Sequence, residues 1–393
     1  MAYFRNNTVN LLNLHYGIHS LALSGGGAFF AVFLLKSGVP APAVLASLAA
    51  ILLGRFAIRP SVLVLAQRFG LRPLVIAGTL VGGVQYPLLA QVDGVGPALF
   101  ALCAVSSVGD TFYWTTYHAY FAALGDAEHR GHQIGAREAI AAIVGIIGPL
   151  AAGWALTTLG PRAAFDATAV VLVLAALPIM WTPNVKVAWT APGALKASIP
   201  GVLMFAADGW CAAPYYFLWQ IALFVSLGES FSAFAGAMAF AAGVGALSGM
   251  ALGRLIDLGH GTRAAWIALA ALAATIALRA ASYGNAPLAV AANACGALVA
   301  CLYSPALGTA MYNQAKRSPC PLRFHIAAEG GWDLGGGASA LVAAGLLTWG
   351  LPLGAGILLS LLSVPALLVL LRRYYGASDT PGEPVLTSEL AGR

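Results

Sequence analysis

The chain has 393 residues, of which 60% are hydrophobic and only 9% charged, with a mean hydropathy of +0.83. A soluble domain carries about a quarter charged residues, so these proportions exclude a water-soluble enzyme, a disordered chain and a secreted disulfide scaffold. The formal charge of +6 is scattered between apolar runs and forms no basic patch with interleaved aromatics, which argues against nucleic acid as a partner.

The apolar stretches are long and continuous, not short and alternating, and so predict membrane helices instead of a barrel. Runs of roughly 17–28 residues, enough to cross ~30 Å of hydrocarbon, give twelve spans. In the first half they cover 8–36, 41–58, 73–92, 97–124, 134–159 and 164–181. In the second half they cover 201–227, 231–255, 264–282, 287–311, 326–349 and 351–371. No small-residue cleavage site follows a short apolar core after Arg5, so the first run is expected to remain as a helix. The expected fold class is an all-α membrane protein with two six-helix bundles, 1–183 and 201–375. A cytoplasmic loop over 184–200, with Lys186 and Lys196, joins them, and a Gly/Ser/Pro/Glu-rich disordered tail occupies 376–393. The five scattered cysteines read as reduced thiols and not as disulfides or zinc ligands.

With both termini on one side, Lys36, Arg162 and Arg279 fall on the far side and the other seventeen of twenty basic residues on the near side. The positive-inside rule makes the near side cytoplasmic. The halves also read as repeats: Gly38 and Gly228 are 190 residues apart (228 − 38), as are Gln67 and Asp257 (257 − 67). Gln133-Ile134-Gly135-Ala136 matches His325-Ile326-Ala327-Ala328 at an offset of 192 (326 − 134). Parallel halves with a site at their interface are how many secondary transporters are built.

The loop after span two, Gln67-Arg68-Phe69-Gly70-Leu71-Arg72-Pro73, resembles the signature loop of the major facilitator superfamily. Arg68, Gly70 and Arg72 keep the motif, whereas Leu63, Gln67 and Leu71 depart from it. The second-half counterpart, Gly253-Arg254-Leu255-Ile256-Asp257, keeps the Gly and the Asp. Gly145, Gly148-Pro149 and Gly153 in span five are similar to the glycine-proline element of the superfamily's proton antiporters. The resemblance implies the major facilitator fold, a central cavity lined by spans one, four, seven and ten, and a gating role for Arg68, Gly70, Arg72, Gly253 and Asp257.

Ionisable residues inside spans are costly and are the default functional candidates. Span one has His15 and His19 on one helix face beside Tyr16, and span four carries Asp110, Tyr113, Trp114, Tyr117 and His118. Span five opens with Arg137-Glu138, span seven has Asp208, Tyr215 and Trp219, and span ten has Tyr303. Span eleven steps through His325, Glu329 and Asp333, with Trp332 adjoining. Glu138, Asp208, Glu329, Asp110 and Asp333 are the candidates for proton coupling. His15, His19, Tyr16, Tyr113, Trp114, Tyr117, His118, Arg137, Tyr215, Trp219, Tyr303 and Trp332 are the candidates for binding substrate. Plainer roles stay open: Arg137 pairing with Glu138 or Glu329 to tie the halves together, His15 and His19 as helix packing, the aromatic stripe as core, and His325 as interfacial. Asp166 and Arg279 sit close enough to span ends to snorkel.

These features point to a monomeric secondary transporter of a small amphipathic organic molecule, proton-coupled, in a bacterial inner membrane with both termini cytoplasmic. The span-five element favours export, and an uptake symporter is the alternative. A transition-metal or metal-chelate transporter using His15, His19, His118 and Asp208 is a second alternative. No P-loop is present, so no nucleotide or other cofactor is expected, and H-E-x-x-H and G-x-S-x-G are both absent, which argues against an intramembrane enzyme. A non-transporting receptor on the same scaffold is the remaining reading.

Overall fold

The computed structural model describes residues 6–124, 130–256 and 261–378, and the side chains of 6–121, 123–124, 140–249 and 262–376. Among the described residues the chain is helical and has no strand. It forms twelve spans: Asn7–Lys36, Ala41–Phe69, Leu71–Leu89, Pro97–Leu124, Arg130–Thr158 and Pro161–Met180, then Ala194–Ser226, Phe231–Ile256, Gly261–Ser282, Ala286–Arg317, Pro321–Thr348 and Leu353–Ser378. Eight are long and apolar enough to cross a membrane by themselves. The other four are spans three, four, seven and eleven, and the last three of these carry Asp110, Asp208, Glu329 and Asp333.

Among the described residues three spans leave the α-helix: span twelve passes through a 3-10 stretch, Leu359–Ser363, and spans one and seven are broken at matching places in the repeat. Span one leaves the α-helix at Gly25 and runs through a 3-10 turn, Gly26–Phe29, before resuming at Phe30. Span seven widens into a π-helix over Ala213–Leu218, where Pro214 supplies no backbone N–H. The internal repeat is also visible in the turns. Gly38, Gly94 and Gly160 each have positive φ, and so do Gly228, Gly284 and Gly350, every one 190 residues on (228 − 38, 284 − 94, 350 − 160). Only glycine adopts that backbone freely, so both copies close the same loops in the same way. Side-chain contacts repeat too. Cys103 and Thr111 of span four donate to the carbonyls of Ser47 and Arg55, and Asn293 and Cys301 of span ten donate to those of Ala237 and Gly245.

Several boundaries differ from the sequence reading. Span two continues to Phe69 instead of stopping near residue 58, and span seven begins at Ala194, inside the stretch read as loop, after Gly193 caps it at φ 80°. Hydropathy marks only the lipid-immersed part of a helix, and these helices project beyond it. The two halves meet where span two packs on span eleven and where span five packs on span eight. The outer parts of spans one and seven also touch.

Candidate functional site

The centre of the molecule holds a cavity of about 530 Å³ between the halves. Spans one, two, three, four, seven, ten and eleven all contribute to its wall, with Arg55, Asp110, Trp114, His118, Asp208, Glu329 and Trp332 among the lining residues. Tyr312 and His325 also border a second hollow of about 260 Å³ beside Lys186 and Lys316, so the cavity leads toward the face that carries the linker between the halves.

The polar heart of the site is an ion cluster across the seam of spans two and eleven. Arg59 donates from Nη1 to Glu329 at 2.6 Å, from Nε to Asp333 at 3.0 Å, and also from Nη2 to Asp333. Its Nη1 reaches Thr115 as well, at 2.5 Å, and the Thr115 hydroxyl donates onward to Glu329 at 3.2 Å. One turn along, Arg55 Nε lies 3.1 Å from Asp333, and its Nη1 lies 4.0 Å from Asp110. Arg59 and Asp333 are almost wholly buried, at 2% and 0% exposure. Charges placed there persist only when paired.

Asp208 is held differently. The Tyr303 hydroxyl donates to Oδ1 at 2.6 Å, and the Trp332 indole donates to Oδ2 at 3.0 Å. Both donors are neutral. The Arg55 guanidinium lies over the Trp332 ring at 5.6 Å, so this one tryptophan touches both polar centres.

The two arginines are the residues that sequence reasoning missed. Counted with the cytoplasmic loop charges, Arg55 and Arg59 are in fact buried within the bundle. Their spacing of four matches that of Glu329 and Asp333, and this complementarity of two helix faces was a readable signal. Glu329 is tied across the seam by Arg59. Arg137 and Glu138 lie on span five where side chains fall outside the described residues, as does Gly253 on span eight, and Asp257 lies outside them altogether.

Several predicted binders pack behind the wall. His15 Nδ1 donates to the Ala175 carbonyl at 2.6 Å, which leaves Nε2 to accept from the Tyr113 hydroxyl at 3.1 Å. His19 stacks flat on Tyr113, with ring centroids 3.8 Å apart, and Tyr16 stacks on Tyr117. These five residues glue spans one, four and six, whereas Trp114 and His118, one position along span four, line the cavity. Tyr215 and Trp219 form the bed of Arg279, whose guanidinium lies 3.9 Å and 4.9 Å from the two ring centres. Arg279 therefore does not snorkel; it is buried and donates to the Tyr215 carbonyl at the π-helical break. His325 is not interfacial either: it is buried and stacks across the seam on His118, with ring centroids 6.0 Å apart. His15, His19, His118 and Asp208 do not converge, and no group of three or more His, Cys, Asp or Glu suited to a metal occurs among the described residues.

The loop between spans two and three grips the linker. Gly70 turns at φ 89°, Asn184 donates to the Phe69 carbonyl and accepts from the Arg72 amide, and Arg72 donates to the Thr182 carbonyl at 2.9 Å. Lys186 reaches the Arg68 carbonyl, and Arg323 of span eleven donates to the Trp189 carbonyl at 2.6 Å. In span five, Gly148 abuts Ser24 and Gly25 at the break in span one, while Gly145 and Gly153 face Ala242 and Ala235 of span eight.

The structure of a POT family transporter solved in complex with 5-aminolevulinic acid is similar to this chain, with a TM-score of 0.69 and 10% sequence identity over 94% of this chain and 96% of the other. No curated protein matches the chain in sequence. The profile of the Major Facilitator Superfamily matches residues 12–319. With twelve spans in two repeated halves around a central cavity, and with most of its length inside that match, the chain belongs to the major facilitator superfamily and is a membrane transporter.

Proposed function

We propose that this transporter exchanges a small amphipathic organic cation for protons, with Asp208 and the Arg55–Asp110–Glu329–Asp333 group as the sites both compete for. The observation that carries this reading is a charge deficit. Among the described residues, four carboxylates face or adjoin the cavity, Asp110, Asp208, Glu329 and Asp333, against two guanidiniums, Arg55 and Arg59. Uncompensated charge in a low-dielectric site is neutralised by a proton or by a ligand of opposite sign. Cation and proton then exclude one another, which makes the exchange obligatory and gives export when protons enter. The largely aromatic and aliphatic wall suits an organic cation better than a bare ion. We place the termini on the cytoplasmic face, on the basis of the basic residues that gather there, and we assign the Arg68–Gly70–Arg72 loop a gating role because it holds the linker between the halves.

Proteoliposomes acidified inside provide the test. They are expected to accumulate the permanently charged dye ethidium as protons leave, and protein-free liposomes are not. Asp208→Asn is expected to cut this uptake at least tenfold while the purified variant keeps its elution profile. Uptake by the wild type that ignores the pH gradient would refute proton exchange.

A further inference from the structure

We infer that the cargo is a dication, a small amphipathic diamine held at one end by Asp110 of the first half and at the other by Asp208 of the second. This rests on the cation-for-proton exchange proposed above and adds the class of cargo. The deficit of two charges is not spread evenly. Arg59 is fully engaged by Glu329 and Asp333, and Arg55 sits 3.1 Å from Asp333 but 4.0 Å from Asp110. The missing charge of the ion cluster therefore falls on Asp110, whose side chain is 32% exposed at the cavity wall. The second missing charge falls on Asp208, which among the described residues has only the neutral Tyr303 and Trp332 donors.

One ammonium is not expected to serve both acids, which share no contact among the described residues and are linked through Arg55 and the Trp332 ring. Two linked cations can. The apolar surface around Trp114, Phe205 and Phe217 accommodates the hydrocarbon between the charges. One dication exchanged for two protons leaves the cavity neutral in both states. It also engages both halves at once, which a monocation at either acid does not.

The full chain in lipid nanodiscs, titrated calorimetrically with matched pairs, tests this. The pairs are p-xylylenediamine against 4-methylbenzylamine and octamethylenediamine against octylamine, which differ only in the second amine. At least one diamine is expected to bind tenfold or more tighter than its monoamine, and Asp110→Asn and Asp208→Asn are each expected to bring that diamine down to the monoamine's affinity. Equal affinities within both wild-type pairs overturn the proposal without any variant, and so does a preference that survives either substitution. Equal affinities alongside pH-driven ethidium uptake remove only the dication. Loss of that uptake together with no binding of any amine removes the exchange reading as well.

Discussion

The two seams between the halves occupy equivalent places in the repeat, yet the side chains described at each are of opposite chemistry. On span two, Leu52 and Leu53 meet Gly336 and Gly337 of span eleven, and one turn further Arg55 and Arg59 meet Asp333 and Glu329. At the other seam, Gly145 and Gly153 of span five meet Ala242 and Ala235 of span eight. The residues 190 positions after Arg55 and Arg59 are Gly245 and Gly249 (245 − 55, 249 − 59). Duplication supplied one scaffold twice; among the described side chains, only the seam of spans two and eleven shows ion pairs. A seam of small residues lets backbones approach and slide, whereas paired ions in a dry interior hold one register until water or a ligand replaces a partner. The charged seam is the one that borders the cavity through Arg55 and Glu329.

The strongest way to break this contrast is Asp333→Asn, which leaves Arg59 and Arg55 without the carboxylate they share. Removing one partner of a buried ion pair costs ~3–5 kcal/mol, so a large fall in detergent-solubilised melting temperature is expected. Converting Arg55 to Gln in the same chain is expected to restore part of the loss, because Arg59 keeps Glu329 while Arg55, left with Asp110 at 4.0 Å, is the cation that the missing carboxylate orphans. A double variant as unstable as the single would show that the seam is held by shape and not by charge.

A smaller effect is expected at the small-residue contact of spans five and eight. A Cβ on Gly153 would lie 2.5 Å from that of Ala235, so Gly153→Val overpacks the contact at ~1–3 kcal/mol. Here transport is expected to fall more than stability does, since the change obstructs sliding without removing a tie. Measuring uptake and melting temperature side by side in Gly153→Val and Asp333→Asn sharpens the comparison: equal ratios of the two losses would mean the seams do not differ in kind.

Much of this architecture was legible from residue order because membrane crossing is a constraint of length and apolarity. Span four was read at its observed limits, 97–124, and the 190-residue repeat was visible in Gly38 and Gly228. The site was less legible, for physical reasons. Adjacent residues on a helix point about 100° apart, and the stripe on span four straddles two faces. Tyr113 and Tyr117 are turned to span one, and Trp114 and His118 to the cavity. Nothing in one helix alone says which face is wet. Arg55 and Arg59 were misplaced because a pair of cations close to the end of an apolar run looks like loop anchoring until the acids that pair with them are found on another helix.

The smallest effect belongs to the end of the molecule where spans one and seven touch. Lys36 and Glu229 pair there at 3.2 Å, with both side chains close to half exposed. Beneath them Phe29 and Phe234, and Phe224 and Phe231, pack with ring centroids 5.4 Å apart in each pair. Exposed pairs contribute ~0.2–1 kcal/mol and are screened by salt, so Lys36→Met is expected to leave the melting temperature nearly unchanged. It is expected instead to shift the balance of open and closed ends modestly at low ionic strength, read from the distance between spin labels at residues 37 and 230, and to have no effect on that distance at high salt. Because the phenylalanines beneath exclude water whether or not the pair forms, they, and not the ion pair, hold this end shut. A shift that persists undiminished in high salt would assign the closure to Lys36 and Glu229 after all, and would make this end resemble the charged seam more than the sliding one.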